Sequence, residues 1–295
     1  MVAAPFEYVS VTSYAEAVDA LRACGEDAKL LAGGQSLVPM MNLRLVRPGV
    51  LVDLNRIPSL QPRLEGSTVC LDALTRHRTL TDDPVVAAHC PLLAEAVRHV
   101  GNVRVRVRGT IGGSLAHGDP TAEIGAVAVA VDAEVEAAGP GGRRTIPARD
   151  LFVTYLTTSL HPGEVVTGVR VPAIGPREGW GFREMVRRSA DLAIVAVAAC
   201  VRLDAQLSAE AAAVSLAGVA DRVVLADASV AAGVLGTDGR AAVLADVARR
   251  IAGGIELGSD VHASAGYRRR LVEVLTRRAL GDAFTCARAN AGEAG

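Results

Sequence analysis

Leu30-Leu31-Ala32-Gly33-Gly34-Gln35-Ser36-Leu37 is the stretch on which the reading of this chain turns. Lys29 to Ala32 reads as a short buried strand, and it runs straight into a pair of glycines. Adjacent glycines allow positive φ and leave no Cβ between the backbone and a ligand. Successive N–H groups in such a turn point the same way and form an anion-binding nest. Gln35 and Ser36 add side-chain donors. The chemistry suits a phosphate, although a diglycine after a strand also serves as a plain turn.

A second stretch, Thr110 to Glu123 (TIGGSLAHGDPTAE), again sets Gly112-Gly113 beside small polar residues, Thr110 and Ser114. The flanks differ, so the two are not a repeat. Two separate nests in one chain suit a ligand with two linked phosphates, a pyrophosphate held from both sides. Neither stretch is G-x-G-x-x-G opening a helix, and neither carries Gly-Lys-Ser/Thr. The dinucleotide-binding and P-loop patterns are therefore absent from both.

The length of 295 residues predicts two domains, the first of them subdivided. Half the residues are hydrophobic but only 3% are aromatic, so the core must be built of Ala, Val and Leu. A net charge of −1 argues against a general nucleic-acid or anionic-membrane binder. No apolar run reaches transmembrane length, which argues against membrane insertion. MVAAPFEYVS lacks the regions of a signal peptide, so a cytoplasmic location is expected. Cys24, Cys70, Cys90, Cys200 and Cys286 show no C-x-x-C spacing. They read as isolated small core residues, and no metal site is expected from this chain alone.

Along the chain, Ser13-Tyr14-Ala15-Glu16 is a capping box opening a helix that stops at Gly25. Val38 to Val46 reads as a helical turn or extended chain with Arg44 and Arg47 solvated. Val50 to Asp53 and Thr68 to Leu74 read as strands. Asp83-Pro84 and Pro91 start short helices, the second ending near Gly101. Val103-Arg104-Val105-Arg106-Val107-Arg108 alternates with period two and predicts a strand with one charged face. That face is either a solvated edge or the side turned to an anionic partner or cofactor. Asp119-Pro120 reads as N-cap and N1 of a helix to about Val131, with Glu123 compensating the dipole of its first turn. Ala133 to Ala137 and Val165 to Val171 read as strands, with a helix near 150–156 between them.

The Gly/Pro-rich segment 173–179 is the expected domain boundary. Beyond it 181–187, 192–203 and 212–219 read as three strands. Helical segments follow near 226–235 and 239–251. A last helix, 264–280, carries Tyr267, Leu271, Val274 and Leu275 on one face. The tail after Asp282 is expected to fray. The domains expected are 1–174, with subdomains of about 1–57 and 58–174, then 175–285, then a tail at 286–295.

Ala32-Gly33-Gly34-Gln35-Ser36-Leu37, Thr110-Ile111-Gly112-Gly113-Ser114-Leu115 and the following His117-Gly118-Asp119-Pro120 together resemble the FAD-binding (medium) subunit of molybdenum hydroxylases, the carbon monoxide dehydrogenase and xanthine dehydrogenase family. The resemblance extends to Pro5-Phe6, Arg183, Asp191-Leu192-Ala193 and Tyr267-Arg268. It implies an α+β fold: a two-part FAD-binding domain of the vanillyl-alcohol-oxidase type, then a small C-terminal domain of a three-stranded sheet with helices. It implies FAD as cofactor, with its pyrophosphate on the N–H groups of Ala32, Gly33, Gly34, Gln35, Ser36 and Leu37. Thr110, Gly113 and Ser114 would close from the second nest, and Ile111, Gly112, Ala116 and Asp119 complete the set. Lys29, Leu30 and Leu31 would flank the cofactor, and His117 would lie near the flavin or its ribityl chain. Glu123 would bind a cofactor hydroxyl, Val166 would pack on the cofactor, and Arg183 would supply a nearby cation. The sequence departs from the family at Val107, where Asn is usual, and at Leu192, where an aromatic is common.

The resemblance implies a flavin subunit with no substrate chemistry of its own. It would relay electrons from a [2Fe–2S] small subunit to a terminal acceptor, while a molybdopterin large subunit holds the substrate. An assembly of two such trimers is expected. His77, His89, His99, His161 and His262 lie in unrelated contexts and read as surface or packing residues. Two rivals stand beside this reading. One is a stand-alone FAD oxidoreductase of the vanillyl-alcohol-oxidase type, for which the region after Gly179 is short. The other is a non-catalytic nucleotide-binding module in which the glycine stretches are mere turns.

Overall fold

The computed structural model describes residues 2–293, the last of these by its backbone alone. The chain opens with β1 (Glu7–Ser10), α1 (Tyr14–Cys24), β2 (Ala28–Leu31), α2 (Leu37–Asn42) and β3 (Val50–Asp53). These strands form a parallel sheet in the order β1-β3-β2. Ser13 caps α1 through its side chain, which accepts from the Glu16 N–H, and Gly25 ends the helix at φ 62°. Val52, Leu54, Ala17 and Ala28 make the small core under this sheet.

A second unit follows. Its elements are β4 (Arg63–Glu65), β5 (Thr68–Asp72), α3 (His77–Asp82), α4 (Pro84–His89), α5 (Pro91–His99), α6 (Val103–Arg108), α7 (Ile111–His117) and α8 (Glu123–Ala130). It continues with β6 (Glu134–Gly139), β7 (Gly142–Pro147), α9 (Ala148–Leu151), β8 (Phe152–Thr154), β9 (Thr157–Thr158) and β10 (Val165–Pro172). The main sheet is antiparallel, in the order β4-β5-β10-β6-β7. α8, EIGAVAVA, is buried at every residue, so it reads as apolar on all sides.

The third unit holds β11 (Glu178–Met185), β12 (Val195–Leu203), β13 (Ala209–Ala217), β14 (Val224–Leu225), α10 (Ala228–Ala231), α11 (Ala241–Gly254) and α12 (Ala265–Glu293). Its sheet is antiparallel in chain order, with three long strands and a two-residue β14 at the edge. Alternation in β12 divides its residues between two cores. Val195, Val197 and Val201 join the core under α11 and α12. Ala196 and Ala198 join the core of the second unit. The sheet is thus buried on both faces, which is why its strands read as unbroken apolar runs. On β11 the alternation runs the other way. A Cβ on Gly179 would lie 2.1 Å from the Ala283 carbonyl oxygen, and one on Gly181 would lie 2.1 Å from that of Ala279. Only glycine lets the α12 backbone approach so closely. Trp180 and Phe182 point the opposite way, toward the second unit.

Several expectations are corrected. Val103 to Arg108 is a helix, not a strand. The Asn102 side chain accepts from the N–H groups of Arg104 and Val105, and the Gly109 N–H returns to the Val105 carbonyl. Caps at both ends outweigh the β-branched alternation. Asp119 and Pro120 precede α8 rather than starting it, because Asp119 turns onto the N–H and hydroxyl of Thr121. The helix expected near 150–156 ends at Leu151, and Phe152 begins a strand. The expected tail is helical through Glu293, and its last two residues lie outside the described residues. Its buried face runs through Leu271, Val272, Leu275, Ala279, Ala283, Phe284 and Ala287, while Tyr267 stays exposed. The stripe is rotated from the one expected because Arg268 turns inward, donating to Asp260 at 2.6 Å.

Phe284 is 1% exposed. Phe284→Ala is expected to lower stability by about 3–5 kcal/mol, read as a drop in the urea midpoint. Thr285→Ala on the exposed side should change it by under about 0.5 kcal/mol. Equal midpoints would return the segment to a frayed tail.

Candidate functional site

The two glycine stretches meet. A Cβ on Gly33 would lie 2.4 Å from the Arg108 carbonyl oxygen and 2.8 Å from the Gly109 Cα. A Cβ on Gly113 would be 3.8 Å from that of Ala32. The loop after β2 is therefore seated backbone to backbone on the turn between α6 and α7. Gly34 takes φ 71°, a conformation glycine adopts without penalty. The loop then closes into α2, with the Val38 N–H donating to the Gly34 carbonyl at 3.1 Å. Among the described residues, no protein acceptor meets the N–H groups of Gly33, Gly34, Gln35, Ser36 or Leu37. The Gln35 side chain donates to the Gly33 carbonyl at 3.2 Å, which braces the loop from within.

The second stretch is built differently from the first. Thr110 is the N-cap of α7, and its hydroxyl oxygen accepts from the Gly113 N–H at 3.1 Å. The Ile111 N–H donates to the Thr75 carbonyl, Gly112 to that of Ala73 and Ser114 to that of Thr110. These donors are taken, so Thr110 to Ser114 is a capped helix start and not a second nest. A Cβ on Gly112 would fall 2.6 Å from the Ala73 Cβ. This glycine serves close packing of α7 against β5.

A polar network that sequence reading missed fastens the junction. The Asn55 side chain donates to the Ala32 carbonyl at 2.9 Å and accepts from Arg76 at 2.6 Å. Arg76 also donates to the Arg108 carbonyl. Asp53 accepts from the Tyr8 hydroxyl and from both N–H groups of Asn55. Burial alone would raise the Asp53 carboxyl, but the Tyr8 and Asn55 donors and the Arg108 charge outweigh it and hold the group below its ordinary value. Asn55 and Arg76 also line a cavity of about 290 Å³ with Leu74, Thr75 and Thr79. The D-x-N spacing of Asp53 and Asn55 after a strand was the available signal, since it favours a side-chain-bonded turn.

His77 lies behind the same turn. A Cβ on Gly109 would be 2.8 Å from the His77 Nδ1, and the His77 N–H donates to the Gly109 carbonyl at 3.0 Å. Burial drives its imidazole down to about 4, so it is neutral at physiological pH.

The other expected residues divide. Leu30 packs on the N-terminal core, Leu31 is half-buried beside Gly34, and Lys29 is exposed. Ser114 and His117 are half-buried on α7, and Ala116 is exposed. Asp119 caps its own turn. Glu123 is buried in the first turn of α8, where desolvation pushes its carboxyl up to about 7. Val166 is 6% exposed and belongs to the core of the second unit, which leaves it almost no surface for a ligand. Arg183 shares the Gly181 face of β11 and pairs with Asp282 of α12 at 2.7 Å. Val107 and Leu192 are both exposed. A larger cavity of about 430 Å³, between α8 and β11 to β13, includes none of the expected residues.

Comparison with known proteins extends this geometry. Residues 4–174 match the family described as the FAD binding domain in molybdopterin dehydrogenase, and residues 180–283 match the CO dehydrogenase flavoprotein C-terminal domain. The chain is 37% identical over 292 residues to the 6-hydroxypseudooxynicotine dehydrogenase complex subunit alpha of Paenarthrobacter nicotinovorans, covering 96% of each chain. It is 45% identical over 203 residues to the carbon monoxide dehydrogenase medium chain of Hydrogenophaga pseudoflava, covering 68% of this chain and 71% of the other. A solved structure of carbon monoxide dehydrogenase from Hydrogenophaga pseudoflava superposes with a TM-score of 0.93 at 38% identity, over 97% of this chain and 100% of that one. The loop, the junction beneath it and these matches give one conclusion: the chain belongs to the FAD-binding medium subunits of the molybdenum hydroxylase family, and is the flavoprotein component of an oxidoreductase.

Proposed function

We propose that the chain holds FAD by its diphosphate on the loop Gly33 to Leu37 and relays electrons within a hetero-oligomer. The observation that carries this is the set of adjacent N–H groups without a protein acceptor, held against the Arg108–Gly109 backbone. A run of adjacent N–H groups with no protein acceptor, on a partly exposed loop, is a site for an anion. Arg108 is exposed, and its charge reaches Asp53 across the junction. It adds a cation for a doubly charged diphosphate. Ser36, at the start of α2, and Ser114, on α7, bring hydroxyls to the same neighbourhood.

The residues present fit the cofactor. The loop is open where a phosphate needs backbone donors and closed where the protein needs rigidity. Bound FAD supplies reversible electron transfer, and the chain supplies its position. The Arg76–Asn55–Asp53 network ties the first unit to the second beneath the loop. In this reading Ile111, Gly112 and Thr110 are a buttress and touch the cofactor little. Glu123, its carboxyl pushed up to about 7 by burial, would donate to or accept from a cofactor hydroxyl.

Relatives named as a medium chain and as a subunit of a dehydrogenase complex support assembly with other polypeptides. Electrons would come from a [2Fe–2S] small subunit, the substrate would be oxidised on a molybdopterin large subunit, and two such trimers would associate. A cytoplasmic setting completes the proposal, in keeping with the absence, among the described residues, of any helix long and apolar enough to cross a membrane.

Two measurements test this. Gly33→Ala is expected to weaken FAD binding by roughly 100-fold or more, a loss of about 3 kcal/mol, because its methyl meets the Arg108 carbonyl. Gly141→Ala, where a Cβ meets nothing within 4 Å, should bind as the parent does. Equal flavin content in both variants would remove the diphosphate from this loop. The second concerns pH. His77 stays neutral in the fold to about 4 but takes its proton near 6.5 once unfolded. Its contribution is therefore complete above pH 6.5 and is lost as pH falls toward 4, about 3 kcal/mol in all. His77→Leu should flatten the urea midpoint over that window, and an unchanged slope would place the acid sensitivity elsewhere.

A further inference from the structure

The seam between the second and third units is closed at one end and hollow at the other. Cross-strand pairing sets Phe182, Ala198 and Ser215 in one row of the third sheet. All three are buried. Two residues further along, the row is Trp180, Cys200 and Ala213, and the next is Glu178, Arg202 and Ala211. Side chains two apart on a strand share a face, so these rows also look toward the second unit. Here the cover lifts. Trp180, Cys200 and Ala213 are only half-buried. The space left is the cavity of about 430 Å³, with His89 to Leu93, the end of α8 and the end of β10 on its other sides.

The lining is apolar, and its charges are already paired. Glu178 accepts from the Gly175 N–H at 2.8 Å and lies 3.9 Å from Arg202, which donates to Glu210 at 2.6 Å. Asp132 pairs with Arg149 at 3.2 Å. Burial pushes the Cys90 and Cys200 thiols up to about 12, so both stay neutral. The Ile174 N–H donates to the His89 carbonyl and the Cys90 N–H to that of Val86. The ring nitrogens of His89 and Trp180 have no protein partner among the described residues. An occupant thus finds apolar wall and one or two hydrogen-bonding groups, and no unpaired carboxylate or guanidinium.

We propose that this cavity is a binding site for a neutral aromatic small molecule of one or two rings, seated against Trp180 between the second and third units. Size and shape favour such a ligand. An apolar cavity of about 150 Å³ takes one benzene ring. Small-molecule sites run from about 300 to 1,000 Å³, are lined mostly by apolar and aromatic side chains, and occur where domains meet. Chemistry narrows the class. A charged ligand would leave water for walls that offer no free counter-charge, which costs several kcal/mol by order of magnitude. A neutral ring gives up little hydration and covers apolar wall on both sides of the seam. Its binding adds to the stability of the folded chain by linkage.

Trp180 is the only tryptophan of the chain, so its emission reports from the cavity itself. The probe is bromobenzene, whose bromine quenches tryptophan emission and scatters X-rays anomalously, added to the full purified chain. Quenching should saturate, with a Kd on the order of 1 mM or tighter. The same ring with a charge, 4-bromobenzoate, should bind at least about tenfold more weakly. Ala213→Phe and Ala211→Phe each place a ring in the space and should weaken bromobenzene at least about tenfold, with the thermal midpoint no lower than the parent's. The two lie in different rows, so a folding defect in one leaves the other to decide. Soaked crystals should show the bromine beside Trp180. Quenching that rises without saturation, equal binding of bromobenzoate, unchanged binding in the folded variants, or bromine only at other places overturns the proposal. So does calorimetric binding to the isolated chain that vanishes in the complex with its co-purifying subunits, because a partner then fills the cavity.

Discussion

The structure depends on one contact between backbones, Gly33 on Arg108 and Gly109. No side chain larger than hydrogen fits there. The closeness has two results. It locks the first unit to the second. It also holds the loop so that, among the described residues, nothing accepts from its N–H groups. A nest that collapsed onto its own carbonyls would bind nothing. Asn55 and Arg76 prevent this by taking the carbonyls of Ala32 and Arg108 and leaving the donors free.

The same device, glycine where backbones touch, recurs in the third unit. Gly179 and Gly181 let α12 lie on β11, and Ala196 and Ala198 of β12 lie on the second unit. With aromatics at 3% of the chain, close approach of small residues replaces bulk as the source of packing. Such cores tolerate little added volume, since each contact is already at van der Waals distance. The long C-terminal helix is part of this packing through Phe284 and Ala287. The unit carrying Leu192, and the seam where His99 accepts or donates to Glu184 at 3.0 Å, are thereby held firmly on the flavin-binding part.

Much of this was legible in the sequence. The diglycine after an apolar strand located the loop, and capping residues located α1, α4 and α5, because those signals are local. The errors came where local signals compete with distant ones. Val103 to Arg108 alternates like a strand, but Asn102 and Gly109 cap it as a helix. Thr110-Ile111-Gly112-Gly113 looks like a second nest, yet its donors are taken by Thr110 itself and by Thr75 and Ala73, and the last two are partners that no spacing reveals. The resemblance gives Arg183 as a cation near the cofactor, and what the sequence did not reveal is its partner Asp282, on the α12 side of β11. Asn55 and Arg76 were missed because their importance lies in which carbonyls they reach. The cavity beside Trp180 carries no sequence signal at all, since only the docking of the third unit on the second leaves it open.

The account makes the loop the holder of the diphosphate and the second glycine stretch its support. The most direct measurement is a crystal structure of the chain with FAD bound, read for the donors around the two phosphorus atoms. The account requires phosphate oxygens within about 3.2 Å of the Gly33 to Leu37 nitrogens, with the Ile111 to Ser114 donors still on Thr75, Ala73 and Thr110. Phosphates held by other groups, with the loop nitrogens facing water, would contradict it.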